Sequence, residues 1–248
     1  MKRILSAIAL ACMTSGMIAA ATPAMAQNWN AEIEDTGKGY RIGDPDAPLQ
    51  LVEFISYSCP HCAHFEADAE AELRYHYVHE GFAAVEVRHM IRNPIDLAAA
   101  LLTECGDPSK FFDNHKAMLA TQDDWMARAQ GLTQAQMARW QSGTLAGRMR
   151  AIASDLEFDD IMERRGYSAS EITACLSNDA KARAIAETSE ANVAEYDVPG
   201  TPSFVLNGAL LEGVHGWMPL REAMVAARAT PDEGGALGQG LAPQQESE

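Results

Sequence analysis

Two cysteines mark the point where a predicted strand meets a predicted helix. Residues 49–57 (LQLVEFISY) form an apolar and aromatic run that is typical of a buried strand. Pro60 suits the first turn of a helix, where its missing N–H is not needed, and residues 61–79 contain no helix breaker. Cys59 therefore lies at a strand-to-helix junction, and Cys62 follows in the first helical turn.

The pattern after this junction predicts an α/β frame that is interrupted by helices. Residues 82–90 alternate apolar and polar side chains as a second strand would, and a right-handed crossover would make this strand the parallel neighbour of the first. Residues 94–196 carry helical signals only. Strands resume in a hairpin around Asn207-Gly208, and residues 217–229 predict a closing helix.

These signals divide the chain into five segments. The segments are a signal peptide at 1–26, the first part of an α/β domain at 27–93, an inserted all-helical domain at 94–196, the second part of the α/β domain at 197–230 and a disordered acidic tail at 231–248. Within the second segment, residues 27–38 are expected to be a loose polar lead-in, and residues 40–42 a short edge strand.

The first segment has the pattern of a secretory signal peptide. Lys2 and Arg3 precede an apolar stretch at residues 4–21, and Ala24-Met25-Ala26 is a cleavage pattern of small residues. Export would place the remaining cysteines in an oxidising compartment. A retained anchor helix and a lipidated Cys12 are the alternatives.

The overall charge excludes one class of function. The chain carries 19 Lys and Arg against 35 Asp and Glu, a net charge of −16. Binding of nucleic-acid phosphates requires a basic surface that releases counterions. A nucleic-acid partner is therefore not expected.

The Cys59-Pro60-His61-Cys62 sequence is typical of a reactive dithiol. The start of a helix offers unpaired N–H groups and the positive end of the helix dipole, and both stabilise a thiolate. Cys59 is expected to be exposed and nucleophilic, with a pKa lowered from about 8.5 into the range of roughly 3.5 to 7.5. His61 can add a donor or a positive charge. Since this stabilisation favours the reduced form, the disulfide is predicted to oxidise other thiols.

A structural zinc site and an inert bridge are the alternatives for this cysteine pair. Zinc would require Cys105 and Cys175 or histidines as further ligands, but these two cysteines are far apart in the sequence and lack zinc-knuckle spacing. The histidines that follow on the same helix lack partners at ligand spacing and are predicted to lie on the surface; they are His64, His76 and His79.

Two segments resemble the DsbA-type thiol:disulfide oxidoreductases of the bacterial periplasm. They are residues 53–66 (EFISYSCPHCAHFE) and residues 198–204 (VPGTPSF), which match that family in order and separation. The similarity extends over residues 38–230. It implies a thioredoxin fold interrupted by a helical domain, in agreement with the organisation described above.

The resemblance also implies roles for single residues. Cys59 would attack and Cys62 would resolve the mixed disulfide, while Pro202 would be a cis-proline against the sulfurs, with a trans turn proline as the alternative. Thr201 departs from the pattern, because many members of the DsbA branch carry Val before the cis-proline and Thr is common in the related isomerases. Glu53 would be a buried carboxylate that moves protons to or from Cys62, or else a half-exposed strand residue.

Three further residues have a less specific assignment. Glu66 matches a family acid near the site, although a solvated helix face explains it equally well. Cys105 and Cys175 both lie in the predicted helical domain, so a structural disulfide between them is predicted, with two free buried thiols as the alternative.

We therefore predict a periplasmic dithiol oxidase whose Cys59-Cys62 disulfide accepts electrons from reduced cysteines of exported, unfolded polypeptides. The resemblance implies a DsbB-type membrane reoxidant, and we expect no cofactor or metal besides the disulfide. Met90 and Trp217 could supply an apolar surface for such substrates. A disulfide isomerase or reductase, favoured by Thr201, is the alternative, and a non-catalytic chaperone with the same frame is a third hypothesis.

Overall fold

The computed structural model describes residues 27–229. Within this range, six strands form one mixed sheet in the order β1-β2-β4-β3-β5-β6. The strands are β1 (Ile33–Asp35), β2 (Tyr40–Ile42), β3 (Leu49–Ile55), β4 (Ala83–His89), β5 (Ser203–Leu206) and β6 (Ala209–Leu210).

Helices cover the sheet and fill the segment between β4 and β5. A π-helical turn (Leu73–Val78) extends α1, and short 3₁₀ turns lie at Trp29–Ala31 and Pro108–Lys110. The α-helices are α1 (Pro60–Glu72), α2 (Pro94–Thr103), α3 (Phe111–Ala120), α4 (Gln122–Gln130), α5 (Gln134–Gln141), α6 (Leu145–Asp155), α7 (Phe158–Arg164), α8 (Ala169–Leu176), α9 (Asp179–Glu195) and α10 (Trp217–Ala229).

The strand pairing confirms the predicted α/β frame with inserted helices. β3 pairs in parallel with β4, from Leu49 opposite Ala83 to Ile55 opposite His89. β5 pairs antiparallel with the other edge of β3 and forms a hairpin with β6. The helices α2 to α9 lie between β4 and β5 in the chain. The domain boundaries given above stay predictions.

Local sequence signals account for several helix starts. Ser168 and Glu171 form a reciprocal capping box at α8, as do Thr133 and Gln136 at α5. At α2, the Asn93 side chain accepts hydrogen bonds from the first backbone N–H groups. These side chains satisfy backbone donors that helix geometry leaves unpaired.

The expectation of a loose lead-in at residues 27–38 is wrong. Residues Ile33–Asp35 form β1, which pairs antiparallel with β2 through Ile33 opposite Ile42 and Asp35 opposite Tyr40. β2 is consequently an interior strand between β1 and β4 and not an edge strand. A three-residue strand with two acids has little local signal, and the pairing with β2 determines its conformation.

The main core joins the sheet to the helices and reaches the active-site helix. Phe65 of α1 packs on Phe204 of β5, with ring centroids 4.6 Å apart, and Cys62 lies in the same core. A smaller cluster contains Phe54, Val198 and Val205. The active-site helix is thus held against the sheet by buried apolar contacts.

Cys105 and Cys175 form a disulfide bond, with Cα atoms 5.7 Å apart. Cys105 follows α2, and Cys175 lies in the last turn of α8. The bond therefore ties the chain just after α2 to α8.

The predicted signal peptide at 1–26 and the predicted tail at 231–248 lie outside the described residues. Among residues 27–229, none of the helices combines the length and apolar character that a membrane span requires.

Candidate active site

Cys59 and Cys62 lie where the sequence places them, at the junction between β3 and α1. Cys59 is the N-cap residue of α1 and Pro60 is its first residue. Both cysteines are free, and Cys62 is fully buried. The expectation that Cys59 is exposed is wrong, since only 4% of the residue is accessible. The loop before β5 accounts for this burial, because its Thr201 carbonyl oxygen lies 3.2 Å from the Cys59 sulfur.

The surroundings of Cys59 favour its thiolate. The largest contribution is a hydrogen bond that the Cys62 thiol donates to the Cys59 sulfur. Burial opposes ionisation, but the Thr201 side chain and the backbone N–H groups of Cys62 and His61 add to the stabilisation. Together these groups lower the pKa of Cys59 from 9.0 to about 4. At neutral pH the reduced protein therefore holds a thiolate at the start of α1.

Cys62 has the opposite tendency. The hydrogen bond to Cys59, burial and the negative charge of the Cys59 thiolate all raise the pKa of Cys62 far above its ordinary value. One sulfur is thus a nucleophile, and the other keeps its proton. This asymmetry is what a stepwise exchange of disulfides requires.

A cleft opens beside Cys59. The Thr201–Pro202 peptide bond is cis. The exposed His215 has Nδ1 2.8 Å from the Pro202 carbonyl oxygen, and the His61 side chain is also exposed. The cleft has a volume of about 390 Å³ and is lined by His61, Pro199, Gly200, Thr201, Pro202 and His215. The cleft therefore lies along the cis-proline loop whose Thr201 carbonyl covers the Cys59 sulfur.

Glu53 lies in β3 and is 2% exposed, so its carboxyl group is buried rather than half-exposed. Burial raises the pKa of Glu53 well above 4.5, and the charge of Glu66 adds to the effect. The charge of Glu53 is in turn one of the smaller causes of the raised pKa of Cys62. The carboxyl is therefore disposed to hold a proton near the buried sulfur.

Other predicted residues lie away from the sulfurs. His64, His76 and His79 are exposed. Trp217, expected to contribute to a substrate surface, is the first residue of α10. Its ring is buried in the core, where it packs against Tyr77. Met90 is partly buried beside the smaller apolar cluster. Across residues 27–229, there is no group of three or more His, Cys, Asp or Glu placed to hold a metal ion.

Comparison with known proteins identifies the family. A family model described as thioredoxin matches residues 35–225. The chain belongs to the thioredoxin family. The predicted resemblance to its DsbA-type members and the predicted thioredoxin fold with an inserted helical domain are confirmed.

Two solved structures and one sequence relative are similar to this chain. The crystal structure of a protein-disulfide isomerase from Novosphingobium aromaticivorans is 46% identical, with a TM-score of 0.72 over 75% of this chain and 95% of that one. Wolbachia pipientis alpha-DsbA1 is 16% identical, with a TM-score of 0.61 over 77% of this chain and 91% of that one, and shows a shared fold. A Rickettsia conorii protein, provisionally named a protein-disulfide oxidoreductase, is 30% identical over 196 residues, which cover 75% of this chain and 62% of that relative.

Two residues that support the thioredoxin-family active site could not be found from the sequence. Gln122, the first residue of α4, is 2% exposed and donates to the carbonyl groups of Tyr57 and Cys59 at 2.5 and 2.9 Å. Asp96 of α2 is fully buried and accepts from the Ser58 backbone N–H at 2.8 Å. Both residues come from the inserted helices, and no local motif marks them.

Replacement of Gln122 by Met should lower the free energy of unfolding by about 2 kcal/mol, because the buried Tyr57 carbonyl loses the hydrogen bond from Gln122. Methionine keeps the length of the side chain but has no donor. Urea unfolding of the reduced protein measures the change. The matched control is Gln134→Met, at the exposed start of α5, which should unfold like the wild type. Equal stability of both variants would contradict a bracing role for Gln122.

Proposed function

We propose that the protein is a thiol:disulfide oxidoreductase that donates its Cys59-Cys62 disulfide to reduced cysteines of exported, unfolded polypeptides. The observation that carries this proposal is the stabilised Cys59 thiolate, whose pKa is lowered to about 4. Stabilisation of the reduced form makes the disulfide the less stable partner and hence an oxidant. The 46% identity to a structure described as a protein-disulfide isomerase supports disulfide chemistry in general.

The reaction proceeds in two exchanges. A substrate thiolate attacks the Cys59 sulfur, the Cys59–Cys62 bond breaks, and Cys62 leaves as a thiolate that takes up a proton. A second thiolate of the substrate then attacks the substrate sulfur of the mixed disulfide, and Cys59 leaves as the stabilised thiolate. The substrate loses two electrons and gains a disulfide, while the protein ends as a thiolate and a thiol.

Glu53 supplies the proton in this scheme. Cys62 is buried, so its leaving thiolate has no direct access to bulk solvent. The raised pKa of the neighbouring Glu53 keeps a proton available on its carboxyl group. Proton transfer to Cys62 slows its return attack on the mixed disulfide, because the thiol is a poor nucleophile.

The proposed cellular setting rests on the predicted signal peptide and on the need for an electron acceptor that reoxidises the two cysteines. We place the protein in the periplasm, after export by the signal peptide predicted at residues 1–26. Repeated turnover needs an oxidant that removes two electrons from Cys59 and Cys62. A DsbB-type membrane protein is the proposed reoxidant. The disulfide itself is the redox group, and the scheme uses no other cofactor or metal.

The second candidate function is disulfide isomerisation or reduction from the reduced dithiol. Thr201 before the cis-proline favours it, and so does the description of the Novosphingobium structure. In this direction, the Cys59 thiolate would attack a wrong disulfide of the substrate and Cys62 would release the substrate.

The redox equilibrium with glutathione separates the two directions. The oxidised protein is incubated with mixtures of reduced and oxidised glutathione, and its Cys59-Cys62 state is measured after acid quenching and alkylation. We expect a potential nearer to about −120 mV, as for a strong oxidant, than to about −270 mV, as for thioredoxin. A potential near that of thioredoxin would favour the reductase direction and contradict the oxidase proposal.

A further inference from the structure

His215 is an exposed histidine to which the proposed exchange reaction gives no role. It lies in the loop between β6 and α10, at residues 211–216. This loop is tied to the sheet at its start, where the Leu211 N–H donates to the Phe204 carbonyl at 2.8 Å. Its other end returns to the cis-proline, since Nδ1 of His215 lies 2.8 Å from the Pro202 carbonyl oxygen. The loop therefore holds the imidazole against the cis-proline.

The hydrogen bond to Pro202 determines which ring nitrogen of His215 can act as a base. A carbonyl oxygen only accepts, so Nδ1 must carry a hydrogen and donate it. In the neutral imidazole the lone pair is then on Nε2. Among residues 27–229, Nε2 has no hydrogen-bond partner. A donating Nδ1–H and a free Nε2 are also the arrangement of the histidine base in a serine hydrolase triad.

The cleft brings this base to the loop that covers Cys59. The carbonyl oxygen of Thr201, one residue before the acceptor of His215, lies 3.2 Å from the Cys59 sulfur. Thr201, Pro202 and His215 line the same cleft of about 390 Å³. This volume is at the lower end of the range for ligand clefts, so a thiol that enters it lies close to each wall.

His61 is the other titratable residue that lines the cleft. Its ring lies edge-on to that of His64, with centroids 6.3 Å apart, and no hydrogen bond within the described residues fixes its tautomer. Among those residues, the lining contains no Asp, Glu, Lys or Arg. His215 is thus the cleft histidine whose ring is oriented for proton transfer at Nε2.

A substrate thiol must lose its proton before or during its attack on a disulfide. Only the thiolate is nucleophilic, and an ordinary cysteine with a pKa of about 8.5 is roughly 3% ionised at pH 7. A base that removes the proton as the sulfur attacks can therefore raise the rate by up to about thirtyfold at that pH. The stabilised Cys59 thiolate assists the departure of the product, but it does nothing for the ionisation of the incoming thiol.

We propose that His215 is a catalytic general base that accepts the proton of the substrate thiol as this thiol attacks Cys59. The inference rests on the function proposed above. The substrate S–H bond breaks and its proton goes to Nε2, while the substrate sulfur bonds to Cys59 and the Cys59–Cys62 bond breaks. The electron pair of that bond stays on Cys62, which takes a proton from Glu53 in the proposed scheme. The His215 imidazolium is exposed and returns its proton to solvent.

The test compares two thiols of different acidity, each mixed rapidly with the oxidised protein at about pH 7. One is a blocked peptide with a single cysteine, whose thiol is mostly protonated at this pH. The other is thionitrobenzoate, an aromatic thiol that is already ionised and has no proton to give. The informative variant is His215→Asn, because the asparagine amide can still donate to the Pro202 carbonyl but has no atom in place of Nε2.

We expect His215→Asn to slow the first exchange with the peptide about tenfold and to leave the rate with thionitrobenzoate unchanged. The difference for the peptide should disappear near about pH 9, where its thiol ionises without a base. The matched control is His79→Asn, since His79 is an exposed histidine that follows the π-helical turn after α1. This control should react like the wild type with both thiols.

Two results would overturn the inference and leave the proposed function standing. If His215→Asn reacts with both thiols at the wild-type rate, His215 takes no proton from the substrate. If it slows both thiols by the same factor, its role is to shape the cleft. Failure of the oxidised wild type to exchange with either thiol would instead contradict the proposed function.

Discussion

Replacement of Cys59 by Ser is expected to abolish disulfide exchange, with a loss of at least about a thousandfold in the rate of oxidation of a reduced test protein. A serine hydroxyl cannot form a disulfide, and the donors around position 59 cannot make it an anion at neutral pH. Cys62 cannot substitute for Cys59, because it is fully buried and its pKa is raised. The measurement is the rate at which the oxidised wild type and the variant form disulfides in a reduced, unfolded protein with two cysteines.

The matched variant is Cys62→Ser, which keeps the reactive thiolate but removes its partner sulfur. Mixed with an unfolded protein that carries a disulfide, it should accumulate a covalent complex through Cys59, visible as an added mass under non-reducing conditions and lost after reduction. The Cys59→Ser protein should form no such complex. Full activity of Cys59→Ser would instead favour the non-catalytic chaperone hypothesis.

Local signals in the sequence account for the part of the fold that carries the cysteines. The apolar run of β3, Pro60 at the first turn of α1 and the alternation along β4 are all short-range patterns, and the structure pairs β3 with β4 in parallel as they predict. The short strand β1 has no such signal. It forms because it pairs with the edge of β2, and this pairing is visible only in the folded sheet.

The candidate site divides in the same way. Cys59, Cys62 and Pro202 could be found because they belong to two recognisable segments. Gln122 and Asp96 could not, because each reaches the site from a helix of the inserted block. The burial of Cys59 was missed for a related reason: the loop that carries Thr201 covers the sulfur although it lies far away in the sequence.

The pKa of Cys59 also predicts how pH changes the stability of the reduced protein. A group whose pKa is lowered by folding, here from 9.0 to about 4, stabilises the folded state fully above its unfolded value, and this contribution is lost as the pH falls through its folded value. The loss amounts to about 1.4 kcal/mol per pH unit, which leaves about 4 kcal/mol at pH 7. In the oxidised protein Cys59 does not titrate, so the contribution is absent at every pH.

Lowering the pH from about 7 to about 5 should therefore decrease the free energy of unfolding of the reduced protein by about 3 kcal/mol relative to that of the oxidised protein. Urea unfolding of both redox forms at the two pH values measures it, and the carboxylates that titrate in both forms largely cancel in the difference. Cys62 does not contribute in this range. Its pKa in the folded protein is raised above the ordinary cysteine value, so it is a thiol at both pH values in the folded and the unfolded state. In the reduced Cys59→Ser protein the additional pH dependence should disappear. A wild-type difference that does not vary with pH would mean that folding does not stabilise the Cys59 thiolate, and the proposed oxidising power would lose its physical cause.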